Sequence, residues 1–121
     1  LVSPARVLIV DRSAESRDVL ASLLARRGAE VLEARGTAAA AAMAAENSPH
    51  LIVVDGDATT AGPPGGDGDL AAVAARNAVP IVVVGAIRRS ASPLPVEQFV
   101  AKPYHYAALI RKIEELLGTR A

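Results

Sequence analysis

The sequence predicts a doubly wound α/β domain, a parallel sheet covered on both faces by helices, and three patterns carry that expectation. Short apolar, β-branched runs (ARVLIV, LIVV, PIVVV) lack the alternation of half-exposed strands and read as strands buried on both sides. Segments with apolar residues at helical spacing lie between them, and such alternation is satisfied by parallel strands joined through right-handed crossovers. Two of the buried runs lead into a carboxylate, Asp11 and Asp55, at the strand ends where sheets of this class bind ligands.

The elements follow in order. Residues 5–10 form the first strand, and residues 14–27 the first helix, with Val19, Leu20, Leu23 and Leu24 on its stripe, Ser13 as N-cap and Gly28 just past its end. Residues 30–34 read as an edge strand, because Glu30 and Glu33 discourage pairing with other chains. Thr37 is expected to cap a second helix through Asn47, whose alanines around Met43 combine high helix propensity with a slim profile. Residues 51–54 make the third strand. Gly56, Gly62, Pro63, Pro64, Gly65, Gly66 and Gly68 then argue for irregular chain up to a short helix over 70–76. Residues 80–84 form the fourth strand, ending at Gly85. Pro93 and Pro95 leave the fourth helix shortened or missing before a brief fifth strand over 98–100. Residues 104–117 close the chain as an amphipathic fifth helix with Leu109, Ile110, Ile113, Leu116 and Leu117 on one stripe, ending at Gly118.

Length and composition bound the function classes. A chain of 121 residues suits one domain, and an aromatic share of 2% requires a core of Ala, Val, Leu and Ile. Thirteen basic and thirteen acidic residues balance, which removes the electrostatic case for nucleic acid or an anionic membrane as partner. There is no cysteine for a disulfide or thiolate metal site, and no apolar run long enough to span a bilayer. With no basic-then-apolar leader either, a cytoplasmic location is expected, and the opening on Leu1 rather than Met suggests a domain excised from a longer protein.

Asp11 and Asp55 at adjacent strand ends supply the hard oxygen donors that Mg²⁺ takes, and Lys102 follows the fifth strand, where a cation can pair with a phosphoryl oxygen. Asp11, Asp55 and Lys102-Pro103, in that order at those strand ends, resemble the receiver domain of two-component response regulators over essentially the whole chain. The resemblance implies a flavodoxin-like five-stranded sheet in the order 2-1-3-4-5. It also implies that Asp55 accepts a phosphoryl group from a sensor histidine kinase or phosphotransfer protein, that Lys102 senses the product, and that Asp11 helps to hold Mg²⁺. A tethered output domain is the expected recipient of the signal.

Departures from the family pattern qualify the chemistry. The usual second acid is Arg12 here. Unit charges 4 Å apart near a surface interact by about 4 kcal/mol at an effective dielectric near 20, and after screening a penalty of about 2 kcal/mol still weakens binding more than tenfold. Weak Mg²⁺ affinity is therefore expected, with the Asp57 carboxylate as a partial substitute at the position where the family offers a backbone carbonyl. Gly85 stands where the family has Ser or Thr, so no hydroxyl reports phosphorylation from there, and Phe99 fills the aromatic switch position without a phenol.

Three functions compete on these residues. The first is a phosphoryl-accepting receiver. The second is a pseudo-receiver that binds proteins regardless of phosphorylation, because Arg12 and Gly85 have ended the chemistry. The third, more distant, follows from Asp55-Gly56-Asp57-Ala58-Thr59, which looks like the DxDxT opening of haloacid-dehalogenase-type phosphatases, although no adjacent downstream aspartates supply that family's metal site. A non-enzymatic role is expected. His50 and His105 lack a partner at ligand spacing and are assigned no chemistry, and the glycine-rich loop lacks the Lys-Ser/Thr ending of a phosphate-binding P-loop.

Overall fold

A computed structural model of the chain describes residues 4–56, 66–85, 94, 99–101 and 105–118. Among the described residues five strands, β1 (Arg6–Val10), β2 (Glu30–Ala34), β3 (Leu51–Asp55), β4 (Ile81–Gly85) and β5 (Phe99–Ala101), pair in parallel in the order β2-β1-β3-β4-β5. The described helices, α1 (Ala14–Arg26), α2 (Thr37–Asn47), α3 (Gly66–Arg76) and α4 (Tyr106–Leu117), cover the two faces. This is the order expected from the sequence, with α4 in the place of the expected fifth helix. The expected shortening of the fourth helix concerns residues that lie outside those described.

Successive strand residues point to opposite faces, so each central strand feeds two cores. On one face Leu8, Val10, Ile52 and Val54 pack with Ala40, Ala41 and Ala44 of α2 and Leu70, Val73 and Ala74 of α3. On the other, Val7, Ile9, Leu51, Val53, Val82 and Val84 pack with Leu20 and Leu24 of α1 and Leu109, Ile110 and Ile113 of α4. The near-continuous apolar runs follow from this double duty. β2 lies at the edge, as its glutamates suggested; Arg6 reaches Glu30 at 3.5 Å and Arg17 reaches Glu33 at 3.3 Å.

The end of α1 is a Schellman turn. Ala29 N–H donates to the Leu24 carbonyl at 3.1 Å and Gly28 N–H to Ala25 at 3.0 Å, with Gly28 at φ +91°. Ser13 caps the start, its hydroxyl accepting the Ser16 N–H at 3.3 Å. α3 ends in the same way through Val79 and Ala78, and there an alanine takes the left-handed position at φ 54°.

Two local expectations are corrected. Thr37 is the first helical residue of α2 and Gly36 is the cap; Thr37 is only 1% exposed, because its side chain is spent on packing instead of capping. The third helix starts at Gly66, four residues before the expected Leu70, and includes Gly66 and Gly68. Two forces outweigh the low helix propensity of glycine. Asp67 and Asp69 sit in the first turn, where the helix dipole favours acids. A Cβ on Gly66 would lie 2.6 Å from Thr37 Oγ1 and 2.9 Å from the Ala38 nitrogen, so the α2–α3 contact has room for glycine alone. Remaining boundary differences are single residues at strand and helix ends, except that the last helix starts at Tyr106, two residues after its expected start, with His105 as the cap. Gly66→Ala is therefore expected to destabilise the fold by about 1–3 kcal/mol through overpacking, despite alanine's better helix propensity, as read by urea unfolding.

Candidate functional site at the carboxyl ends of the central strands

β1 and β3 are paired with Val10 opposite Val54, so the next residues, Asp11 and Asp55, stand side by side at the carboxyl ends of the two central strands. Neighbouring strands are about 4.8 Å apart, which brings the two carboxylates into one site. Asp55 is paired on its other side with Val84, and the Gly56 N–H extends that ladder by donating to the Val84 carbonyl at 2.6 Å. The Asp55 side belongs to the sheet and is only 7% exposed.

Asp11 is held from three directions. Its N–H donates to the Ala34 carbonyl at 3.0 Å, continuing the pairing with β2. Its Oδ1 accepts the Ser13 N–H at 2.9 Å, which closes the turn into α1. Its carbonyl accepts from Arg17 Nη1 at 2.6 Å, while Arg17 Nε donates to Glu33 at 3.3 Å. Arg17, with its side chain 14% exposed, thus ties the end of β1 to the edge strand. Sequence reasoning missed it, and the signal was an edge-strand Glu33 in need of a cation.

The remaining expected site residues divide into two groups. Arg12 is exposed at the mouth of the site, and Gly85 ends β4, paired with Ala101, with no side chain to offer a hydroxyl. Lys102 and Asp57 lie outside the described residues, as does the side chain of Phe99, whose backbone pairs with Val83 on β5. Among the described residues no group of three or more His, Cys, Asp or Glu side chains gathers to hold a metal ion.

The histidines have other places in the fold. His50 Nδ1 accepts the Arg6 N–H at 2.9 Å and its own N–H donates to the Arg6 carbonyl at 2.8 Å, so it ties β1 to the residue before β3 at the opposite end of the sheet. His105 caps α4 by backbone position, with no side-chain hydrogen bond to the helix. No described helix is long and apolar enough to cross a membrane.

Removing the Arg17 guanidinium leaves the Asp11 carbonyl and Glu33 without a shared donor, and hydrogen bonds to charged groups contribute about 1.5–3 kcal/mol. Arg17→Ala is expected to lower unfolding stability by about 1–2 kcal/mol in urea, and Arg17→Lys to recover only part of it because one ammonium lacks the guanidinium's fork.

No protein-family model and no curated protein matches this sequence. Solved structures do match. A response regulator receiver domain protein from Methanospirillum hungatei superposes with a TM-score of 0.77 at 21% identity, covering 96% of this chain and 95% of that one. A two-component response regulator from Clostridium difficile gives 0.76 at 18% identity over 95% and 97%. A chemotaxis protein from Vibrio cholerae gives 0.72 at 22% identity over 93% and 98%. With the sheet order, the paired carboxylates and these superpositions together, the chain has the flavodoxin-like fold of response-regulator receiver domains.

Proposed function

We propose that the chain is a receiver-like signalling domain in which Asp55 accepts a phosphoryl group. The observation that carries this is the β1–β3 register, which sets Asp55 beside Asp11 at the carboxyl end of a sheet with receiver topology. An Asp55 carboxylate oxygen attacks the phosphorus of a phosphohistidine on a sensor histidine kinase or phosphotransfer protein. The P–N bond breaks, the imidazole leaves and takes up a proton, and an aspartyl phosphate remains. The chain is a phosphoryl acceptor in this account and not a turnover enzyme. The signal passes to a tethered or separate output partner; the response regulator PhyR of Brucella abortus, of which this chain matches 48%, shows the same fold carried within a longer chain.

Mg²⁺ in such a site would neutralise phosphoryl charge, and Asp11 and Asp55 are the described residues that would hold it. The donor set suits it poorly. Asp11 already spends Oδ1 on the Ser13 N–H, and the next residue is a cation, Arg12. Asp57 is the remaining sequence candidate.

A second reading, a pseudo-receiver that binds proteins irrespective of phosphorylation, is favoured by Gly85, because β4 ends without a hydroxyl to couple a phosphoryl group to the sheet. Intact-protein mass after incubation with acetyl phosphate separates the two. The acceptor reading predicts a single phosphoryl adduct on the wild type that is absent from Asp55→Asn. An unlabelled wild type, under conditions that label an ordinary receiver, selects the pseudo-receiver.

A further inference from the structure

The sheet order brings a second arginine to the acids. β1 pairs with β2 so that Val10 stands opposite Ala34, and the residues that follow, Asp11 and Arg35, are neighbours at the carboxyl end. Arg12 follows Asp11 on the same rim. Both arginines are exposed, and among the described residues neither is held in an ion pair or a side-chain hydrogen bond. Arg6, Arg17 and Arg27, by contrast, are each committed to a glutamate. Asp11 lies one strand spacing of about 4.8 Å from Arg35 and Asp55 lies two, and an extended arginine spans more than one such spacing, so both guanidinium groups can reach an oxyanion seated over Asp11 on the side toward Asp55. The starts of α1 and α2 lie at this same end, after β1 and β2, and their dipoles add to the positive potential.

We propose that Arg12 and Arg35 form an oxyanion clamp that holds the phosphoryl group beside Asp55 without a divalent cation. This deepens the acceptor reading and rests on it for the identity of the substrate. A guanidinium stays charged at any working pH and binds two phosphoryl oxygens through parallel N–H donors, which supplies both the charge and the directionality that Mg²⁺ would otherwise bring. The clamp also explains why Arg12 is compatible with a phosphoryl site. A cation that repels Mg²⁺ attracts the dianion itself. The bond made is Asp55 O–P and the bond broken is the donor's P–N or P–O.

The test uses the ¹⁵N-labelled chain titrated with inorganic phosphate in excess EDTA. Saturable shifts are expected in the amides of residues 11–13 and 35–36. The Arg12→Ala/Arg35→Ala double variant should weaken binding by about tenfold or more, as loss of charge-assisted bonds implies, while Arg26→Ala at the far end of α1 leaves it unchanged. The dispersion of the same spectra verifies that each variant is folded. Absence of these shifts, their survival in the double variant, or a requirement for Mg²⁺ would overturn the clamp. Acetyl phosphate labelling of the same samples keeps the two claims apart. Labelling of Asp55 that requires Mg²⁺ retains the acceptor and rejects the clamp, whereas phosphate binding at the arginines without labelling retains the clamp and rejects the acceptor.

Discussion

The pairing of β1 with β3 at the centre of the sheet is the constraint on which the rest depends. Val7, Leu8, Ile9 and Val10 lie opposite Leu51, Ile52, Val53 and Val54, and all eight are buried. Each such side chain contributes about 1.5–3 kcal/mol relative to exposure. A one-residue slip would exchange the two cores, sending the set that meets α2 and α3 toward α1 and α4. The exposed Arg27–Glu114 pair at 3.0 Å between α1 and α4 contributes about 1 kcal/mol at most and sets nothing by comparison. Register is thus fixed by the hydrophobic cores, and the positions of Asp11 and Asp55 follow from it.

What surrounds the acids is set by polar contacts. The Ala34 carbonyl, the Ser13 N–H and Arg17 hold the Asp11 backbone and one carboxylate oxygen, so the turn from β1 into α1 has little freedom. The turn leaves Arg12 exposed at the rim, and the edge strand delivers Arg35 beside it. Among the described residues Arg12 and Arg35 stand beside the two carboxylates without an ion pair of their own, and their charge offsets that of the acids toward an incoming anion. The phosphoryl chemistry proposed for Asp55 and the clamp proposed for the arginines both draw on that offset.

The sheet was legible in the sequence because strands buried on two faces leave little room for polar residues, so ARVLIV, LIVV and PIVVV have few other readings. The paired acids were legible because each immediately follows or ends such a run. The start of α3 was not. Gly66 and Gly68 read as helix breakers, whereas Gly66 is required by an α2–α3 approach that no local pattern announces. Thr37 misled in the same way, its packing against Gly66 overriding its capping chemistry. Arg17 and Arg35 were invisible for a different reason: Arg17 acts across strands, and the place of Arg35 beside Asp11 is defined by the sheet order and register. Lys102, Asp57 and the Phe99 side chain stand on the sequence resemblance, since they fall outside the described structure.

The absence of cysteine from the chain makes the register directly measurable. An Asp11→Cys/Asp55→Cys double variant places the only two thiols on adjacent parallel strands, within the Cα separation of about 4.4–6.8 Å that a disulfide needs. Mild oxidation of the folded protein should close an intramolecular disulfide, seen as an intact mass with no free thiol and one cross-linked peptide pair. A folded double variant that keeps both thiols free, or cross-links only between molecules, would show that the acids do not share a site and would contradict the account at its base.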